Sequence, residues 1–204
     1  SGRALRGVRG GLFSVSAFAY RRGRLHVEDV PVEGLAAQFG TPTYVYSTAT
    51  LRERWSALRD ALSGVDHRVC YSVKANSNLA LLRLFAGMGA GFDVVSGGEL
   101  ERVRRAGGRI GEAVFSGVGK THEELLRAHA AGLGMFNVES AEELWALDAV
   151  GRELGRPAPF ALRVNPDVDA RTHRLDRVDE ALDVIGVGVE QVQRHALRRL
   201  GSDS

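Results

Sequence analysis

The sequence has a single cysteine, Cys70, and therefore no internal disulfide; a lone thiol fits a reducing compartment, and a cytoplasmic location is expected. Lysine is almost missing as well. Lys74 and Lys120 are the only two, and arginine carries the rest of the positive charge. Neither sign of charge prevails: 27 basic residues face 25 acidic ones, interleaved along the chain, so no basic face invites nucleic acid and none is expected as a partner. No apolar run approaches the length of a membrane span, which removes a membrane partner from the expectation. Ser1 to Gly11 is basic and glycine-rich, but no apolar core of a signal peptide follows, and residues 1–16 are expected to be a disordered extension. His122, His129 and His173 lack metal-ligand spacing and no Cys-His cluster exists, so no metal is expected.

What is present is the composition of an ordinary α/β protein, large enough to bury a core. Ala17–Tyr20 and Leu25–Glu28 flank Arg21-Arg22-Gly23-Arg24 and predict a hairpin. Pro31 opens a helix whose apolar face is Leu35 and Phe39, closed by Gly40. Tyr44–Tyr46 predicts a strand, and Ser47 or Thr48 caps a helix striped with Leu51, Trp55, Leu58 and Leu62. From there strand and helix alternate. Strands are predicted at Val69–Lys74, Phe92–Ser96, Ala113–Ser116, Met135–Val138 and Phe160–Val164, with helices between them. Such units make a parallel sheet with crossover helices. The regularity is read as architectural, with no second copy of any motif. A closed barrel of eight units needs about 250 residues, so these five predict a partial (β/α) barrel of TIM type that stops before closure.

Lys74 ends the strand Arg68–Lys74, just before Asn76-Ser77-Asn78 caps the next helix. In parallel α/β proteins that strand end faces the ligand crevice. A lysine there among apolar walls loses hydration, which favours the free amine that a Schiff-base lysine needs, and pyridoxal phosphate is the commonest aldehyde to hold. The alternative is a lysine snorkelling to solvent. Asp93, in the following strand, must be paired or hydrogen-bonded, in a site or to nearby backbone amides. Glu99, after Gly97-Gly98, complements a helix N-terminus whatever else it does. Arg163, if it points into the barrel, needs a carboxylate or phosphate, with Asp93, Glu99 or a cofactor as candidates; pointing outward, it covers a helix. Cys70 reads as a buried, inert thiol, and Gly117-Val118-Gly119-Lys120 as a loop at a strand end.

Five stretches in order go further. Tyr71-Ser72-Val73-Lys74-Ala75-Asn76 resembles the cofactor-lysine segment of the alanine-racemase-like (fold-type III) pyridoxal-phosphate enzymes. Gly91–Leu100, Gly117–Thr121, Phe136–Ser140 and Leu162–Pro166 follow in that family's order, and together they resemble its diaminopimelate decarboxylase branch more closely than its ornithine or arginine branches. The resemblance runs from about Phe18 to about His173. It implies a carbon–carbon lyase of lysine biosynthesis that releases carbon dioxide from meso-diaminopimelate to give L-lysine, with pyridoxal 5'-phosphate as cofactor, a small amino acid as substrate, and a homodimer as the assembly. Lys74 would be the catalytic lysine, with Asp93, Glu99 and Arg163 around the cofactor. Residues 17–204 would form the incomplete barrel domain, and residues 17–30 would join a β domain built by a C-terminal half. The resemblance also implies a phosphate loop, a stacking histidine and a glutamate on the ring nitrogen, none with a counterpart in these 204 residues, which makes an inactive chain the expectation; the alternatives are an ornithine- or arginine-type decarboxylase on the same fold, or a non-catalytic protein that binds pyridoxal phosphate.

Overall fold

A computed structural model describes residues 17–164, in two units that divide between His67 and Arg68. The Asn165–His173 run, residues 174–204 and the first sixteen residues lie outside the described part.

In the first unit the expected hairpin is present: Phe18–Arg21 (β1) pairs antiparallel with Arg24–Val27 (β2), and Val30–Pro31 (β3) extends the sheet. Arg22 and Gly23 both sit at positive φ, the conformation that lets a two-residue turn follow the twist of its strands. Val32–Phe39 (α1) starts after Pro31 and ends at Gly40, but Phe39, expected on its apolar face, is exposed. Ser47 caps Thr48–Ala61 (α2) by accepting from the Thr50 N–H. The Glu28 carboxylate reinforces that cap. It accepts from the Ala49 N–H at 2.9 Å and the Ser47 hydroxyl at 2.7 Å, and these bonds hold its carboxyl below the usual range. Tyr44–Tyr46 corrects an expectation. It is irregular, Tyr44 is 89 % exposed, and no strand among the described residues pairs with it; an aromatic alternation of three residues does not hold a strand without a neighbour.

The second unit is the expected parallel sheet. Cys70–Ser72 (β4), Gly91–Val94 (β5), Ala113–Phe115 (β6), Met135–Val138 (β7) and Phe160–Leu162 (β8) lie in sequence order, each parallel to the next. That is the strand order of an arc of a (β/α) barrel. Leu79–Gly87 (α3), Gly97–Arg105 (α4), His122–Ala130 (α5) and Ala141–Glu153 (α6) are the crossovers. Their starts obey one local rule: Asn78, Ser96, Thr121 and Ser140 each accept a backbone N–H from the first turn.

The core lies between sheet and helices. Phe92, Val94, Phe115, Phe136 and Val138 alternate onto the helix side, where Leu82, Val103, Leu125, Leu147 and Val150 meet them with little or no exposure. Tyr71 joins this layer, stacking on Phe85 with ring centroids 4.1 Å apart. The other face carries Ser72, Asp93, Val114, Ser116 and Asn137, all half-buried. Among the described residues no helix is long and apolar enough to cross a membrane.

Gly117 fixes how closely the loop after β6 lies on the end of β5. A Cβ there would stand 2.2 Å from the Val95 carbonyl oxygen, and backbone cannot swing aside as a side chain does. Gly117→Ala should therefore destabilise the unit by about 1–3 kcal/mol; a chemical-denaturation midpoint equal to the parent's would contradict this close approach.

Candidate active site

The lysine strand is shorter than its alternation predicts. β4 ends at Ser72, and Val73–Ala75 form a 3₁₀ turn, so the period of two no longer governs Lys74. Val73 is driven into the core, while Lys74 stands at the carboxyl end of β4 with its side chain exposed and without a hydrogen bond or ion pair among the described residues. The apolar desolvation expected of this lysine is not found. Its placement at the strand end is.

Asp93 occupies the neighbouring strand end. Register pairs it with Ser72, whose hydroxyl reaches Oδ2 at a long 3.4 Å. The other carboxylate oxygen, Oδ1, is buried and has no hydrogen-bond partner among the described residues. A buried acceptor left without a donor costs roughly 1–3 kcal/mol, and such groups are rare enough in folded proteins to require an explanation.

Glu99 and Arg163 are placed differently. The Glu99 carboxylate turns back to accept the Val95 N–H at 2.8 Å, and its own N–H donates to the Ser96 hydroxyl. These bonds staple the turn between β5 and α4; none of its described bonds runs to Lys74 or Asp93. Arg163, two residues past Ala161, shares the face of Asn137 by register, and its partner is neither Asp93 nor Glu99. Its Nη1 donates to Glu139 Oε1 at 3.0 Å, with the guanidinium side chain 49 % exposed.

The residue missed in the sequence is Lys120. It reads only as part of a glycine-rich loop at a strand end, yet its side chain has no exposure at all. Its Nζ donates to the Asn137 carbonyl and to Glu143 Oε1, both at 2.6 Å, and lies 5.6 Å from the centre of the Phe115 ring. The second Glu143 oxygen accepts the Glu139 N–H at 2.8 Å, while the Glu143 N–H donates to the Ser140 hydroxyl.

A signal for this network was present and corrects the reading that no motif recurs. Asp93-Val94-Val95-Ser96-Gly97-Gly98-Glu99-Leu100 returns 44 positions later as Asn137-Val138-Glu139-Ser140-Ala141-Glu142-Glu143-Leu144, and Ser72 returns as Ser116. The copies are physical. Ser72 meets Asp93, and Asn137 Nδ2 donates to Ser116 Oγ at 2.8 Å; Glu99 and Glu143 each take the N–H of the residue before the cap. Each serine is followed by one of the two lysines, two residues on in the first copy and four in the second. The longer loop, with Gly119 at positive φ, returns Lys120 over its neighbouring strand, whereas Lys74 stays outside.

The remaining titratable groups serve the frame. Glu124 accepts from the Gly97 and Thr121 N–H groups, which lowers its carboxyl below the ordinary value. The Cys70 thiol is half-buried against the Glu112 carbonyl, and burial raises it. His122 pairs with Glu153 at the surface, while His129 is buried with its Nε2 against the Arg156 carbonyl oxygen. Among the described residues no group of His, Cys, Asp and Glu could hold a metal ion. Surface grooves of about 510 and 460 Å³ run along α4–α5 and α6–β8 and include none of Lys74, Asp93 or Arg163.

Residues 48–201 match the model of a family described as pyridoxal-dependent decarboxylase, pyridoxal binding domain. A diaminopimelate decarboxylase of Pseudomonas aeruginosa is 49 % identical over 179 residues, 88 % of this chain and 43 % of that protein. One from Pseudomonas fluorescens is 55 % identical over 160 residues, 78 % of this chain and 38 % of the relative. The crystal structure of the diaminopimelate decarboxylase of M. jannaschii in complex with L-lysine superposes with a TM-score of 0.72 at 36 % identity, covering 76 % of this chain and 37 % of that one. The chain spans about two fifths of the length of the curated relatives it matches.

Proposed function

Because this chain belongs to the pyridoxal-dependent decarboxylases and carries their pyridoxal binding domain, we propose that Lys74 is its cofactor lysine and that the whole protein decarboxylates meso-diaminopimelate to L-lysine. The observation that carries this is a pair of adjacent strand ends. One bears an exposed lysine with no described partner, and the next a carboxylate whose buried Oδ1 has no donor among the described residues. Those two groups fit the aldehyde end of pyridoxal phosphate, since the linkage to Lys74 would bring a polar nitrogen to a strand end beside an acceptor in need of one. When bound, the cofactor supplies the aldehyde for covalent attachment and a ring that takes up the electron pair left as carbon dioxide departs.

The chain's own residues would do the rest. Lys74, once its ammonium gives up a proton, offers the nucleophilic amine. Asp93, held by Ser72 through Oδ2, keeps Oδ1 as a fixed acceptor for an N–H at the site. Arg163 offers the guanidinium donors not used by Glu139 to an anionic group on the same face. Glu99 acts through the turn it staples and is a positioning residue. On this reading the protein is a cytoplasmic homodimer acting on a free amino acid. An ornithine or arginine substrate is not favoured, since the relatives at about half identity are named for diaminopimelate.

The reading is tested by transplanting residues 17–164 into the P. aeruginosa relative in place of the segment they match. The chimera should release carbon dioxide from meso-diaminopimelate and form L-lysine, and its Lys74→Ala version should lose that turnover altogether. A folded chimera without turnover, or one that works equally well without Lys74, would overturn the assignment.

A further inference from the structure

The site just described does not use Lys120, whose side chain has no exposure. Two lines of contact leave the Lys120 ammonium. One runs to the Asn137 carbonyl at 2.6 Å, and the amide of Asn137 goes on to Ser116. The other runs through Glu143 to the Glu139 N–H, and the carboxylate of Glu139 goes on to Arg163. Both lines end on the sheet face that carries Asp93. We propose that Lys120, with Glu143, is a positioning pair for the candidate site: it sets the end of β7 and, through Glu139, the place of the Arg163 guanidinium. This rests on the reading of Lys74 and Arg163 as cofactor-binding residues.

A purely structural role is the competing account, and the two differ in a measurable way. A buried ion pair can often be replaced by apolar side chains of like volume with no loss of stability. Apolar side chains cannot accept the Glu139 N–H or donate to the Asn137 carbonyl. If the pair only fills and stabilises, an apolar pair substitutes for it; if it positions, the fold survives and the site is disturbed. The first copy of the repeat supplies an internal control. There Glu99 holds the Val95 N–H as Glu143 holds that of Glu139, but with no lysine on its other oxygen among the described residues.

The experiment compares the chain with its Lys120→Met/Glu143→Leu variant. Two quantities are read: hydrogen exchange at the Glu139 and Val95 amides without ligand, and the pyridoxal phosphate concentration giving half-maximal borohydride-trapped label on Lys74. The expected result is a cooperative melt close to the parent's, Glu139 exchange at least tenfold faster with Val95 unchanged, and a half-maximal concentration raised about tenfold. Should the double variant not fold, Glu143→Gln serves instead. Glutamine turns one of the two acceptor oxygens into an NH2 donor, so either Lys120 or the Glu139 N–H faces a donor instead of an acceptor, and roughly a threefold rise is expected. Labelling that is unchanged within about twofold in a folded variant overturns the proposal and leaves the pair a structural one. A parent chain that takes no label on Lys74 is a different failure: it sinks the cofactor reading, and the positioning role falls with it.

Discussion

Lys120→Ala is expected to lower the melting midpoint of the chain by roughly 6–20 °C, or to abolish the cooperative melt, because it strands a carboxylate in the interior. Glu143 is only 10 % exposed and would be left in the interior without its cationic partner. Breaking a buried pair from one side costs about 3–5 kcal/mol, a large share of the roughly 5–15 kcal/mol that holds a domain folded. At about 2–4 °C per kcal/mol for a protein of this length, that gives the stated shift. The loss also uncouples the Asn137 carbonyl, and with it the end of β7. Arg152→Ala, on the helix α6 that carries Glu143, is the contrast. Its pairing with Asp148 is a solvated i,i+4 contact, of the kind worth about 0.3–0.5 kcal/mol. Equal melting shifts for the two variants, followed by circular dichroism at matched ionic strength, would contradict the burial of Lys120. The apolar double variant should recover most of the lost stability, which separates the cost of a stranded charge from any merit of the pair.

Much of the frame was legible because its rules are local. The four crossover helices of the second unit announce themselves through Asn78, Ser96, Thr121 and Ser140, and each structured start follows its capping residue. The strands announce themselves through apolar alternation, and their parallel order through the helices between them. Where no neighbour completes the pattern the reading fails: Tyr44–Tyr46 has the alternation of a strand and forms none, and Phe39 has the spacing of a core residue and is exposed. The apolar side chains of the last strand show a related effect. Phe160, Leu162 and Val164 are all substantially exposed, since among the described residues no helix lies after β8 to cover them.

The site was legible in part. Lys74 and Asp93 are at adjacent strand ends, as expected, because strand order and register follow from the alternation. The environments of the two lysines were not. Which lysine is buried depends on two extra loop residues and on Gly119 at positive φ, a geometry that residue type and hydropathy do not report. By sequence, an Arg163 pointing into the barrel needs a carboxylate or phosphate, but its partner is Glu139, whose backbone N–H is held by Glu143. The 44-residue recurrence was the signal that could have found it, since Glu143 stands where Glu99 stands and Asn137 where Asp93 stands.

The two lysines are expected to differ sharply in their reaction with an aldehyde. The chain offers an aldehyde only two side-chain amines. Lys74 is exposed at the strand end next to the strand that carries Asp93, whose Oδ1 has no donor among the described residues. Lys120 has no exposure and is held by Glu143 and a backbone carbonyl, so its attack on an aldehyde would first require the loss of two short hydrogen bonds. Incubation of the folded chain with pyridoxal phosphate, borohydride reduction and peptide mapping should therefore place the lysine label on Lys74, with Lys120 unlabelled. Lys74→Ala should remove that label and leave the melting midpoint within about 2 °C of the parent, because an exposed side chain without described contacts contributes little to the fold. Under denaturing conditions both lysines should label alike. Equal labelling of Lys74 and Lys120 in the folded chain, or label on Lys120 alone, would contradict the assignment of the cofactor lysine and the burial on which it rests.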